Sequence, residues 1–226
     1  MRFPFLQSAL RDPNKELRRY LLQNLPLGND TFRVQVEQQL AEMAVSDPHP
    51  LVRADALSGL GSFSFDKYKP LYLRMLNDSS YSIAGTALRA LAEKDSVGAL
   101  AEARKLAQHS ARKILAAAIN DIFSKWGTEA EYAYLYRQFE LASPNGRFNM
   151  LDAFATALAR DPNEARVRQQ VDALVGFRDG LPDFVRTFVD GWINGTLGKL
   201  ADARKNDSAL PGYIRSLVPP TTEATR

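Results

Sequence analysis

Apolar residues in this chain return every three or four positions, in units that themselves repeat. Counting from Asp47, Val52, Ala56 and Leu60 stand at +5, +9 and +13, a spacing that puts all three on one stripe of a helix. The same offsets give Leu17, Leu21 and Leu25 from Asp12, Ile83, Ala87 and Leu91 from Asp78, and Ile114, Ala118 and Ile122 from His109. Two looser units follow. Phe148, Leu151, Ala155 and Leu158 come after Ser143-Pro144-Asn145-Gly146, and Val185, Val189 and Ile193 after Gly180. Strand-like alternation is scarce, so the pattern predicts an all-α chain.

Ahead of each stripe there is room for a second helix. Phe32, Val36, Leu40 and Met43 mark it in the second unit, Leu71, Met75 and Leu76 in the third, and Leu100, Ala103 and Leu106 in the fourth. Thr128-Glu129-Ala130-Glu131 reads as a capping box opening a helix that carries Tyr132, Leu135, Tyr136 and Phe139. Helix and turn in alternation predict an α-α superhelix, a solenoid of about six helix pairs over residues 1–218. Only the first unit is short, since Phe3 to Leu10 leaves little more than a brief first helix, and an upstream partner is expected for it. After Leu197 the pattern fades through Lys199 to Asp207, and a short helix around Tyr213 to Leu217 is expected to cap the stack. Residues 219–226 have nothing to bury and are expected to be disordered.

The residues punctuating the repeats have physical jobs. Asp12, Asp47 and Asp78 stand where a carboxylate can accept the unpaired amide protons of the following helix, worth about 1 kcal/mol per cap. Pro13 and Pro48 suit a first turn, where no amide hydrogen is needed. Arg18 and Arg53 follow the first buried position and are expected to reach the capping Asp of the neighbouring unit as ties between repeats. Ala84 and Asn149 at the corresponding places leave that ladder incomplete. Gly59 and Gly61 are read as ending a helix.

Composition narrows the picture. With 226 residues, 45% hydrophobic and 24% charged, the chain can bury a sizeable core. It holds no run of about 18 apolar residues that would span a membrane, and Pro4 interrupts the start before a signal-peptide core can develop. A soluble protein with no membrane partner is expected, its compartment, cytoplasmic or periplasmic, left open. There is no cysteine, which excludes disulfides and thiolate chemistry. The net charge of +3 is spread out, and residues 151–226 carry ten Lys and Arg against ten Asp and Glu. That is a solvated surface and not a nucleic-acid footprint.

Candidate chemistry is sparse. The two histidines, His49 and His109, both fall at turns of the repeat, and neither opens a His-Glu-x-x-His zinc motif or has a partner set for a nucleophilic triad. The glycine pair Gly59 and Gly61 and the glycines from Gly191 to Gly198 lack the preceding strand and internal lysine of a phosphate loop. Tyr132, Tyr134 and Tyr136 with Arg137 admit a stacking surface for single-stranded nucleic acid; alternate positions on a helix point different ways, which favours partial burial with polar tips outward. Glu129 with Glu131 and Asp179 with Asp183 read as helix-start charges. No catalytic residue, metal ligand or cofactor site is expected in the chain.

A solenoid ordinarily works through the surface lined by its second helices. Its exposed columns here read Tyr20, Asp55, Thr86 and Ala117, and Gln23, Ser58, Arg89 and Asn120. A phosphate-binding column would repeat Lys or Arg. These are mixed and small, and suit an extended peptide or a neighbouring domain better than nucleic acid.

The unit Asp47-Pro-x-x-Leu-Val-Arg-Ala-x-Ala-Leu-x-x-Leu-Gly resembles a HEAT repeat. The third unit, Tyr68-Lys-Pro-Leu-Tyr-Leu-Arg-Met-Leu-Asn-Asp-Ser-Ser-Tyr-Ser-Ile-Ala-Gly-Thr-Ala-Leu-Arg-Ala-Leu-Ala, is similar to the C-terminal helical domain of bacterial aminopeptidase N-like zinc metallopeptidases. Asp95 to Ala107, Phe148 to Leu158 and Phe184 to Leu197 fit the same domain, and the likeness is strongest from about residue 43 to 125. The resemblance implies a HEAT-like, non-catalytic piece of such a peptidase, with the zinc, its His-Glu-x-x-His ligands and the Gly-x-Met-Glu-Asn motif on another domain. It implies as partner the catalytic domain of the same polypeptide, or peptide substrate whose access the helical domain limits. The alternatives are a free-standing HEAT-like scaffold for a protein or peptide and, third, a HEAT-like nucleic-acid protein.

Overall fold

The computed structural model describes residues 3–219, and among them all regular structure is helical. Where the sequence suggests one solenoid over 1–218, the chain divides into two compact units, Met1–Ile122 and Phe123–Arg226. The tail expected to be disordered lies, apart from Pro219, outside the described residues.

The first unit holds α1 (Phe3–Ala9), α2 (Lys15–Gln23), α3 (Asp30–Ser46), α4 (Pro50–Gly59), a 3-10 turn (Leu60–Ser62), α5 (Phe65–Met75), α6 (Tyr81–Lys94), α7 (Ser96–Leu106) and the start of α8 (Lys113–Trp126). The second helices of successive pairs pack side by side, α2 on α4 and α4 on α6. The first helices α3 and α5 each lie against the helix that follows. The periodicity explains why: Val52, Ala56 and Leu60, then Ile83, Ala87 and Leu91, are all buried, as are Val36, Leu40 and Met43 on α3. In α5 the buried side chains are Tyr68, Tyr72 and Met75, with Leu76 just beyond its end, and Leu71 is half-buried.

Two backbones come very close in this unit. A Cβ on Gly85 of α6 would lie 2.6 Å from the backbone nitrogen of Leu115 and 2.7 Å from the carbonyl carbon of Ile114 in α8. Only glycine permits that approach.

The first pair departs from the expected stripe. Leu17 is 39% exposed and Leu21 and Leu25 are half-buried, while Arg18 and Leu22 are the buried residues of α2. α2 has α4 on one side and only the seven-residue α1 above it, so its leucines lack the cover that α4 receives on both flanks.

The second unit contains α9 (Glu129–Leu141), α10 (Pro144–Arg160), α11 (Glu164–Asp179), α12 (Asp183–Ala203) and α13 (Leu210–Ser216). Its core is aromatic. Phe139 and Phe154 stack with centroids 4.4 Å apart, and Phe177 meets Phe139 edge-on at 5.9 Å. The α10 stripe is wider than its pattern, with Met150, Leu151, Phe154, Ala157 and Leu158 buried and Phe148 and Ala155 only partly so. Both α9 and α12 pack on α10, so two faces are covered instead of one. The fading pattern after Leu197 does not end the helix: α12 runs on to Ala203, held by buried Leu200 and Ala201.

Candidate interaction surface

The turns between helices define which charged groups are available for anything else. Asp12, Asp47 and Asp78 are not the helix caps expected of them. Each accepts the backbone N–H two residues on, from Asn14 (2.7 Å), His49 (2.9 Å) and Ser80 (2.9 Å). The residue so placed is the N-cap of α2, α4 and α6 in turn. Asn14 and His49 then accept from Glu16 and Leu51. The physical reason is the intervening Pro13, Pro48 or Ser79, which leaves the Asp in a side-chain-closed turn two residues ahead of the N-cap. A fourth such turn went unread in the sequence: Asn163 donates to Asp161 at 2.9 Å and caps α11.

Freed from capping, the carboxylates meet arginines. Arg18 grips Asp47 through Nε and a terminal nitrogen, both at 2.9 Å, with side chains 8% and 6% exposed. Its other terminal nitrogen donates to the Asp12 carbonyl at 2.6 Å. Arg53 donates to Asp78 at 2.6 Å. In the second unit Arg166 forks onto the fully buried Asp161. Arg204, also buried, donates to the Asp161 carbonyl at 2.6 Å and lies near those of Leu158 and Ala159, closing the end of α10. Arg178 joins α11 to Asn194 of α12 (2.8 Å) and to the Leu217 carbonyl (3.0 Å). Arg178 and Arg204 also pair locally with Asp179 and Asp207, but nothing in the sequence pattern marks their reach to backbone carbonyls 39 and 43 residues away.

The columns expected to face a partner are only partly open. Tyr20 is 63% exposed, and Gln23, Ser58, Arg89 and Ala117 are exposed as well. Asp55 and Thr86 are half-buried. Asp55 is occupied, accepting from Arg19 at 2.8 Å and Gln23 at 3.1 Å. Asn120 is a correction: at 8% exposure it is buried in α8 and offers no contact surface. Beside Tyr20 the half-buried Leu21 and Leu25, with Pro26, Phe32 and Gln35, line a cleft of about 680 Å³ between α2 and α3.

Titration is perturbed where charged groups meet across helices, at Asp95 and Glu37 among others. Asp95 is held below the ordinary carboxylate range by the Lys69 ammonium at 2.8 Å and by the Gly98 N–H it accepts at the start of α7. Glu37 is likewise lowered, first by Lys67 and then by the Tyr68 hydroxyl. Burial pushes the Tyr72 phenol up to about 12. These groups join helices and do not converge on a reacting point. Among the described residues no three His, Asp or Glu side chains gather where a metal ion could sit, and no helix is long and apolar enough to cross a membrane.

Tyr132 is buried, Tyr134 meets Phe123 edge-on at 5.2 Å, and Tyr136 stacks over Phe154 at 6.4 Å, so this cluster is spent on packing. The exposed aromatics are elsewhere. On α12 Phe184, Phe188 and Trp192 are 72%, 84% and 46% exposed. Their spacing of four was readable in the sequence, but it runs beside the Val185, Val189 and Ile193 stripe that drew the assignment. No protein-family model and no curated protein matches the chain.

Proposed function

We propose that the chain is a HEAT-like helical domain without catalysis of its own, the C-terminal part of a zinc aminopeptidase, packing beside the catalytic domain and limiting peptide access to the active site. Its support begins with the residues from Tyr68 to Ala92, whose likeness to that domain falls on α5 and α6. The observation that carries it furthest is the open side of α2. The position sealed in α4 and α6 as Val52 and Ile83 remains uncovered there as Leu17, at 39% exposure, beside the 63% exposed Tyr20 and an apolar cleft. A repeat stack needs a polar cap or a neighbour at such an edge, and a domain of the same polypeptide is a neighbour at high effective concentration.

The genomic sequence upstream of the Met1 codon tests the reading. A continuous frame encoding His-Glu-x-x-His and Gly-x-Met-Glu-Asn is the expected result, and a stop codon with no such frame overturns it. The purified chain should not release aminoacyl-anilide product, and zinc-dependent release by homogeneous protein would refute the non-catalytic reading. A free-standing scaffold is the second reading, favoured by Thr31 and Gln35 on the wall of the cleft, whose polar groups suit an extended peptide backbone. The same genomic result separates the two.

A further inference from the structure

One groove in the first unit is walled by hydrogen-bond acceptors. It measures about 440 Å³ and runs between the C-terminal half of α3 and the turn holding Asp12 and Pro13. On α3, Gln39, Glu42, Met43 and Ser46 follow at intervals of three and four, so they share one face of the helix, and all of them line the groove. Gln39 is only 6% exposed. Its amide nitrogen donates to the Gln7 carbonyl at 3.3 Å, while its carboxamide oxygen is shut off from solvent and, among the described residues, has no donor. Buried acceptors left in this way are rare and destabilising. The other polar groups of the wall are of the same kind. Ser46 has given its one proton to the Glu42 carbonyl at 2.7 Å and can otherwise only accept. Glu42 accepts from Gln38 at 2.9 Å and Asp12 from the Asn14 N–H at 2.7 Å, and a carboxylate has lone pairs for more. Asp47 is already neutralised by Arg18, whose side-chain nitrogens are all engaged. The wall is left with the carboxylates of Asp12 and Glu42 against a single cation, the exposed Arg11.

We propose that this groove binds a primary alkylammonium group, of the kind carried by a lysine side chain or a free aliphatic diamine. An ammonium has three donors and no acceptor, the complement of the Gln39 oxygen, the Ser46 hydroxyl and the two carboxylates. Its methylene stem suits the apolar part of the wall, Leu10, Pro13, Met43 and Pro48. The Gln39 carboxamide turns on a soft terminal torsion, and its 3.3 Å bond to Gln7 is longer than usual, so presenting the oxygen to a donor costs little. The acceptors stand on both sides of the groove, which fits the compact, freely turning head of an ammonium better than a planar guanidinium. An anion would meet the Asp12 and Glu42 carboxylates, and an apolar ligand would leave the Gln39 oxygen unserved. The inference does not rest on the aminopeptidase reading.

Amide chemical shifts of the isotope-labelled whole chain test it. Cadaverine and, separately, acetyl-lysine amide should move the signals from Gln39 to Asp47 saturably, and pentanol and pentanoate should not. Glu42→Gln and Gln39→Leu should each weaken binding of the amines about tenfold, the loss of one hydrogen bond to a charged group. Gln39→Leu should do so while the thermal midpoint stays level or rises, because it removes the unserved oxygen. Arg11→Ala should tighten binding by removing the competing cation. Should Gln39→Leu fail to fold, Glu42→Gln at its exposed position decides alone. Tighter binding of cadaverine upholds the proposal with a free amine as the ligand, and tighter binding of the lysine amide upholds it with a protein side chain. No saturable shift with either amine, the Gln39 oxygen being served by water only, overturns it. So does amine binding that Glu42→Gln leaves unchanged, or that pentanol matches.

Discussion

At the scale of single residues, the charged groups that punctuate the sequence serve turns and ties. The Arg18–Asp47 fork is buried on both sides, and removing one partner strands the other charge out of water. Arg18→Ala or Asp47→Ala should each cost about 3 to 5 kcal/mol in a denaturant melt, and a double-mutant cycle should show strong coupling. The exposed Arg33–Asp30 pair, by contrast, should be worth less than about 1 kcal/mol. Asp95 supplies a pH test. Its pKa is depressed in the folded state by Lys69 and the Gly98 amide, so its stabilisation is present above the ordinary carboxylate range and is lost as pH falls through the lowered value. Asp95→Asn should flatten the acid limb of a stability profile measured from about pH 5 to about pH 2. The ties from Arg18 to Asp47 and from Arg53 to Asp78 were legible because both ends recur at fixed offsets. The caps were misplaced by two residues: an Asp-Pro start looks the same whether the carboxylate or the residue after the proline meets the helix, and only backbone dihedral angles distinguish them.

At the scale of helices, legibility followed coverage. Where a helix is flanked on both sides, as α4 and α6 are, every residue of the predicted stripe is buried, and further residues such as Leu57 and Leu88 are buried with it. Leu57, fully buried in α4, should on truncation to Ala cost about 2 to 5 kcal/mol by urea melt. In α2, left open on one side, the same spacing misnamed the buried set, and in α10 it took the half-buried Phe148 and Ala155 while missing Met150, Phe154 and Ala157. Periodicity reports a helix's own faces and not how many neighbours it has. Gly85 shows another limit. In the sequence it stands among small residues of α6, but the nearby backbone of α8 makes it indispensable. Gly85→Ala should destabilise by about 1 to 3 kcal/mol, the cost of overpacking, against the gain expected from the same change in an exposed helix. A thermal melt in which Gly85→Ala is neutral would show that α6 and α8 do not approach as described.

At the scale of the molecule, two units are joined in one chain, and they are fastened differently. In the first, Arg18 and Arg53 bridge 29 and 25 residues, one repeat to the next. In the second, Arg204 reaches back 43 residues to close α10, and Arg178 waits 39 residues for the Leu217 carbonyl. This difference bears on synthesis. A ribosome adds about 5 to 20 residues each second and releases the chain from its N-terminal end, so the first unit can fasten each repeat soon after it emerges. The second cannot: α10 has an open C-terminal end until Arg204 has left the exit tunnel. During that interval its aromatic core is the part of the nascent chain most in need of protection.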